Sequence, residues 1–340
     1  MLYLQEALDP PKEKAIQSSL NTLEEVGAIQ LSTTVMDNNN TNLSKTVLLP
    51  PSTPPTLLPL GYHLSNIPAD VRIGKMIILS SFLSCVDPVT TIAACLAYKS
   101  PFVEDDAKHK FIKHKKLPSD HLIIIEAVKK FEMLQSSKRG RWCRSNGLSY
   151  STLHTIQQLK KEFKGHLRAA GFSCNNENSQ NIDIVLAVMA GGMWPNIAFA
   201  KRVGAEKFEI KTKTRAAAVH PSSICHQSVL PIGTKAAYFV YHLMVKTRRY
   251  YLRDMSMISP QSMLLFCGKV EDAEIEYGKR EIVIDGWIRI HVASKCAVLI
   301  LNLRQEISTF LMNKYLNPDS NDDEGKLTKL IINVLNEEGV

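Results

Sequence analysis

The sequence predicts a multidomain α+β protein: a helical bundle, a small β-barrel after it, and a helix at the end. Three observations carry this reading. The 340 residues are 45% apolar, enough for two or three modest cores rather than one large one. Apolar residues recur at helical spacing over residues 66 to 192 and again over 293 to 316. Between them, beyond Trp194, β-rich runs shorten to strand length and are separated by turn residues.

The elements follow in order. Residues 9 to 27 read as a helix with Asp9 as N-cap, Pro10 and Pro11 in its first turn, Ile16, Leu20, Leu23 and Val26 on one face, and Gly27 closing it. Residues 31 to 59, with Asn38, Asn39, Asn40 and five prolines, are too polar to bury a core and read as a flexible insertion. From Asp70 a helix carries Ile73, Met76, Ile77 and Leu83 inward, and Asp87-Pro88 starts a second one through Ile92 to residue 97. Ser119-Asp120 caps a helix ending near Leu134, and Ser149 or Ser151 caps a long one reaching Gly171. Residues 182 to 190 form an apolar helix closed by Gly191-Gly192. Asp9, Asp87 and Asp120 are all expected to cap helices.

Short strands are expected over 208 to 213, 216 to 219, 236 to 245, 250 to 255, 263 to 267 and 281 to 290. Closing them into a Greek-key barrel of the oligonucleotide-binding (OB) type removes exposed edges and presents loops to single strands. The Met/Leu-rich stretch 255 to 266 and Trp287 then belong to the barrel core. The last long helix is expected to turn Leu299, Leu303, Ile307 and Leu311 inward, before an acidic break at Asp322, Asp323 and Glu324 and a final short helix. The expected domains are 1–65, 66–192, 193–292 and 293–340.

Positive charge is concentrated in two blocks. Residues 108 to 168 hold fifteen Lys and Arg against four acidic residues, net +11, and residues 201 to 253 hold eleven against two, net +9; the whole chain is +8, so the remainder carries −12. Solvated helix faces give the same counts, but two blocks of one sign also attract polyanions through counterion release. Nucleic acid is the expected partner. Seven cysteines, odd in number and never in C-x-x-C, argue against a disulfide framework and a zinc ribbon, and no metal is expected. The longest apolar run, 77 to 85, is too short to span a bilayer, and residues 1 to 6 lack the pattern of a signal or transit peptide. A cytoplasmic or nuclear location is expected.

Helix cluster, barrel, helix is also the order of the C-terminal region of DExH/DEAH-box RNA helicases, and short motifs agree with it. The run Ala7-Leu8-Asp9-Pro10-Pro11 resembles that family's winged-helix segment. Pro59-Leu60-Gly61, Ile67-Pro68, Ile73-Gly74-Lys75-Met76, Cys85-Val86-Asp87-Pro88, Lys99-Ser100-Pro101-Phe102, Ser119-Asp120-His121-Leu122 and Trp142-Cys143 with Asn146 and Leu148 resemble its helicase-associated (HA2, ratchet) domain. Ala218-Val219-His220-Pro221-Ser222-Ser223, Tyr241-His242, Tyr251-Leu252-Arg253-Asp254 and Ile284-Asp285-Gly286-Trp287 resemble its terminal OB-fold. The likeness spans nearly the whole chain. It implies a partial winged helix, a ratchet domain and an OB-fold that guide single-stranded RNA and regulate ATP-hydrolysing RecA-like lobes, supplied in cis or in trans.

Those lobes are not in these residues. No G-x-x-x-x-G-K-[ST] loop and no DExH box occurs, so no cofactor is expected in this chain, ATP and magnesium belong to a full-length parent, and the chain alone is expected not to hydrolyse ATP. A start inside the winged helix points to a fragment of a longer helicase. The expected RNA contacts are Arg139, Arg141, Arg144 and Asn146, loop-borne beside a core-anchoring Trp142; Lys213 and Arg215 preceding His220, Ser222 and Ser223, whose hydroxyls and turn amides suit a phosphate; and Arg248 and Arg253 which, with Lys246 and Arg249, interleave with Tyr250 and Tyr251, strand alternation sending half of the four to solvent. The run Lys108, Lys110, Lys113, Lys115, Lys116 is open to RNA or to solvent alone. A His220–Ser222 hydrolase pair is the rival reading, without a G-x-S-x-G elbow. A protein-interaction scaffold is the alternative of a different class.

Overall fold

The structure, a computed structural model, describes residues 9–31, 54–113, 117–204, 208–226, 234–275, 279–320 and 324–336. The chain divides into two compact units, Met1–Asn66 and Ile67–Val340.

In the first unit, α1 (Glu13–Val26) stops at Gly27, whose φ is 85°. Its N-cap is Lys12, so Asp9, Pro10 and Pro11 precede the helix instead of opening it. The antiparallel pair β1 (Ile29–Gln30) and β2 (Thr56–Leu57) leads into α2 (Pro59–Ser65). Most of the insertion expected over 31 to 59 lies outside the described residues; its last part forms β2 and the start of α2.

The second unit begins with the helical bundle: α3 (Val71–Phe82), α4 (Val86–Ala97), a 3-10 turn over Asp105–Phe111, α5 (Asp120–Met133), α6 (Ser136–Ser145), α7 (Tyr150–Ala169) and α8 (Ile182–Met193). Local capping starts four of them. Asp70, Ser119, Ser149 and Asn181 each accept a hydrogen bond from the backbone N–H two or three residues on. The helix α8 is buried from Ile184 to Met193 and forms the centre of the bundle. Gly191 and Gly192 lie inside it rather than closing it. A Cβ at residue 192 would stand 2.5 Å from the Met76 Cβ and 2.6 Å from its Cα, so glycine there lets α8 and α3 touch along their backbones.

Asp87 is likewise not a cap. Cys85 holds the N-cap position, and the Asp87 carboxylate instead receives Lys160 Nζ at 2.9 Å and Lys164 Nζ at 2.5 Å from α7. Lys160, buried, also reaches Glu132 at 3.1 Å. Burial raises the Asp87 carboxyl, but the two ammonium groups win and hold it below its ordinary value.

After a cis Trp194-Pro195 bond the chain enters a closed barrel of β3 (Ile197–Arg202), β4 (Phe208–Thr212), β5 (Ala216–Val219), β6 (Ala236–Lys246) and β7 (Tyr250–Ile258), in the order β3-β4-β5-β7-β6. Among the described strands only β5 and β7 pair in parallel. This is the OB arrangement, with Ala198, Ala200, Ile210, Phe239, Leu252 and Met255 filling the interior. Two expected strands are something else. Residues 260 to 266 form a helix, α9 (Pro260–Phe266), because Ser259 caps it and Pro260 takes its first position; Met263, Leu264 and Leu265 are buried outside the barrel against α8. Residues 281 to 290 are a hairpin, not one strand. There β9 (Lys279–Ile284) and β10 (Ile288–Ala293) turn at Asp285 and Gly286, both left-handed, and with β8 (Val270–Ile275) make a separate antiparallel sheet. Trp287 is therefore half-buried at that turn and not barrel core.

The chain continues through α10 (Ser294–Leu316) and α11 (Glu324–Asn336). The buried side of α10 carries Ala297, Ile300, Ile307 and Lys314, while Leu299 is 68% exposed, against expectation. Arg304 explains the rotation: it must face inward, where its guanidinium donates to the carbonyls of Leu264, Cys267 and Gly268 at the end of α9. Among the described residues no helix is long and apolar enough to cross a membrane. Gly192→Ala is expected to lower stability by about 1–3 kcal/mol through overpacking against Met76, measured by urea unfolding; an unchanged midpoint would show that the α3–α8 contact yields without cost.

Candidate nucleic-acid interface

The cations of the barrel gather where two hairpin turns meet. Pairing of β6 with β7 sets Lys246 opposite Tyr250 and leaves Thr247, Arg248 and Arg249 as the turn, while β5 brings its upstream turn, Lys213 to Arg215, beside the same end of β7. The Arg215 guanidinium lies 4.4 Å from the centre of the Tyr250 ring, with Lys246 Nζ at 5.7 Å from it. Arg249 lies 5.0 Å from the Tyr251 ring and donates from Nε to its hydroxyl at 2.9 Å. Arg248, Arg215 and Lys213 are exposed, with Lys213 Nζ 3.9 Å from Asp285. Arg253 is half-buried further along β7. The tip is thus a group of cations interleaved with aromatic rings, and its β6–β7 turn corresponds to the loop between the fourth and fifth strands, one of those by which OB barrels meet oligonucleotides.

The cations of the bundle are mostly engaged. Arg139, Arg141, Arg144 and Asn146 lie on or at the end of α6, a helix rather than a loop. Arg139 donates to the carbonyls of Leu134 and Glu132 and stacks 4.8 Å from Phe131, and Asn146 donates to the Trp142 carbonyl as it ends the helix. Arg141 and Arg144 are exposed. Trp142 packs edge-on against Phe111. In the basic run, Lys108 donates to the Ser222 carbonyl, Lys110 to that of Ser145, and Lys113 pairs with Glu126 at 2.6 Å; Lys115 and Lys116 lie outside the described residues.

The His220-Pro221-Ser222-Ser223 turn is bound on both sides. The Ser222 amide and hydroxyl meet His220 Nδ1 at 3.1 and 2.8 Å. Ser223, buried, donates its hydroxyl to Asp120 Oδ2 at 2.5 Å, and the backbone N–H groups of Ile224 and Met255 donate to the same carboxylate at 3.0 and 2.9 Å. Ser119, not Asp120, caps α5. Burial pushes the Asp120 carboxyl above its ordinary value, against the pull of Lys108 and these donors. Next to it Ser256 Oγ sits between Ser119 Oγ at 2.5 Å and His121 Nδ1 at 2.7 Å, and Met257 N–H donates to the Pro118 carbonyl. A seam of polar groups therefore joins bundle to barrel. Among the described residues His220 and Ser222 bond to each other and no carboxylate pairs with His220, so no orienting acid of a hydrolase triad is found there. The sequence offers Lys246, Arg248, Arg249 and Arg253 interleaved with Tyr250 and Tyr251; that Arg215 and Arg249 lie over those two rings is a tertiary feature it does not spell out.

Three family descriptions match in chain order: "Helicase associated domain (HA2), ratchet-like" over residues 70–124, "Oligonucleotide/oligosaccharide-binding (OB)-fold" over 185–270, and "C-terminal domain in RNA helicases" over 280–337. The chain matches the C-terminal region of the DEAH-box RNA helicases. Human ATP-dependent RNA helicase DHX29 is 30% identical over 364 residues, covering 99% of this chain and 24% of its own length. Human ATP-dependent DNA/RNA helicase DHX36 is 30% identical over 350 residues, covering 95% of this chain and 32% of its own. The human putative ATP-dependent RNA helicase DHX57 is 31% identical over 315 residues, covering 77% and 22%. The chain therefore spans between about a fifth and a third of these curated relatives. The ratchet-like match covers the first part of the bundle, and the OB-fold match runs from within α8 through the barrel and α9.

The seam has a measurable pH signature. Burial pushes His121 down from 6.5 to about 4, so the fold favours its neutral form; that contribution is complete above pH 6.5 and is lost as pH falls towards 4. It amounts to roughly 3 kcal/mol at most. The thermal midpoint of the native chain is expected to drop between pH 6.5 and 4 more than that of His121→Asn, which keeps a partner for Ser256 but does not titrate; parallel curves would remove His121 from the acid response.

Proposed function

We propose that this chain is the RNA-binding C-terminal module of an ATP-dependent DEAH-box RNA helicase, guiding single-stranded RNA and regulating RecA-like lobes that act with it in cis or in trans. The observation that carries this reading is the cation–tyrosine cluster at the barrel tip, with Arg215 and Arg249 laid on tyrosine rings and Lys213, Lys246 and Arg248 around them. Such a surface suits a strand whose phosphates face cations. Arg141 and Arg144 on α6 and Arg253 on β7 are further contacts in this reading, and His220 and Ser222 line the turn beside the tip. Ser223, Arg139 and Asn146 contribute through the structure they hold, since their polar groups are already bonded within the protein. The unit before Ile67 is read as a remnant of the winged helix. ATP and magnesium would be handled by the RecA-like lobes.

The affinity for a labelled oligouridylate is expected to fall by at least tenfold between about 50 and 200 mM salt, with the slope of log K against log salt reduced by about one for each of Arg215→Ala and Arg248→Ala. A shallow salt response, or a slope untouched by both substitutions, sinks the RNA reading and favours a protein-interaction scaffold.

A further inference from the structure

The turn that links bundle to barrel is shared between two sets of partners. From the bundle, Lys108 Nζ donates to the Ser222 carbonyl, and the Asp120 carboxylate holds the Ser223 hydroxyl and the Ile224 amide. From the barrel, the Ser222 amide and hydroxyl both meet His220 Nδ1, while the His220 amide donates to the Leu252 carbonyl at 2.9 Å. An amide can only donate, so Nδ1 is an acceptor and the ring proton sits on Nε2. The His220 ring stands edge-on to Tyr251, with centroids 5.9 Å apart and planes at 79°. Tyr251 in turn carries Arg249 on its face and on its hydroxyl. One residue, Ser222, thus has its carbonyl fixed by the bundle and its amide and hydroxyl fixed on the histidine that packs against the barrel tip.

Lys108 is the unusual member of this chain of contacts. Only 9% of it is exposed, although Lys is normally kept in water, and its nearest anion is the mostly exposed Asp105 at 3.2 Å. Two of the three donors of this drawn-in ammonium go to the Ser222 carbonyl and to Asp105, both within the protein. Lys108 can hold the turn.

We propose that Lys108 is a positioning residue for the barrel's RNA-binding tip, acting through Ser222, His220 and Tyr251 on Arg249, so that the ratchet sets how firmly the OB-fold grips RNA. The proposal rests on the RNA reading above. A double-mutant cycle between Lys108 and Arg249 reads the coupling directly.

The test uses the whole chain and a fluorescent oligouridylate. Lys108→Met keeps the stem and removes the ammonium; it is expected to weaken binding about fivefold. The salt slope should not change, because no phosphate contact is lost, whereas Arg249→Ala should lower it by about one. In the Arg249→Ala background, Lys108→Met should have almost no further effect. Tyr251→Phe, a surface change that cuts the last hydrogen bond of the line, should reproduce the weaker binding and the same lack of additivity with Lys108→Met, and it serves if Lys108→Met does not fold. A reduced salt slope in Lys108→Met would make Lys108 a direct contact and overturn the proposal. So would full additivity with Arg249→Ala, or unchanged affinity in folded Lys108→Met; if that variant does not fold, unchanged affinity in Tyr251→Phe overturns it. Failure of the native chain to bind the probe at all overturns the RNA reading instead, and the proposal with it.

Discussion

Asp120 is a carboxylate withdrawn from water at the start of α5, and three donors of the barrel close on it: the Ser223 hydroxyl and the amides of Ile224 and Met255. An isolated buried carboxylate is far too costly to persist, so its position dictates that these donors be present and correctly aimed. The N-terminal end of a helix adds a favourable field for the anion. The donors come from two separate stretches, the turn after β5 and the middle of β7, so one carboxylate ties two parts of the barrel to the bundle. The Ser119–Ser256 bridge and the Met257-to-Pro118 hydrogen bond continue the same contact. Everything at the barrel tip is built on strands held by this seam.

The same constraint sorts the positive charge. Lys108, Lys110, Lys113, Lys160, Lys164 and Arg139 are bonded to carbonyls or carboxylates of the protein, and several of them hold helices to one another. They raise the local potential while their hydrogen bonds and ion pairs are made within the protein. Arg141, Arg144, Arg215 and Arg248 are exposed, so the surface available to a polyanion is smaller than a count of Lys and Arg along the chain implies.

Where the physics is local, the sequence was readable. Ser119, and Ser149 as one of two candidates with Ser151, were legible as caps, and Asp70 as a helix start, because each bonds to an amide at most three residues away. Asp87 and Asp120 resemble caps in sequence, yet their partners lie 73 and 135 residues distant, which no local pattern encodes. Strand β3 went unread because Ala198 and Ala200 line the barrel without β-branched bulk, and α6 because only Cys143 of its ten residues is buried. Two errors had signals at hand: Ser259-Pro260 is a helix start, and Asp285-Gly286 a hairpin turn. The register of α10 followed Arg304, a charged residue that no apolar pattern would turn inward. For the candidate interface, residue types and approximate place were legible; which cations remain unspent was decided by tertiary hydrogen bonds.

The stacking of Arg215 on Tyr250 and of Arg249 on Tyr251 has a consequence for how a ligand would be received. A free arginine loses much rotamer freedom when it is pinned by a bound anion, and that loss weakens the complex. These two already lie over rings that the β7 backbone holds in place, which restricts that freedom before a ligand arrives. A polyanion arriving at the tip meets cations already in formation.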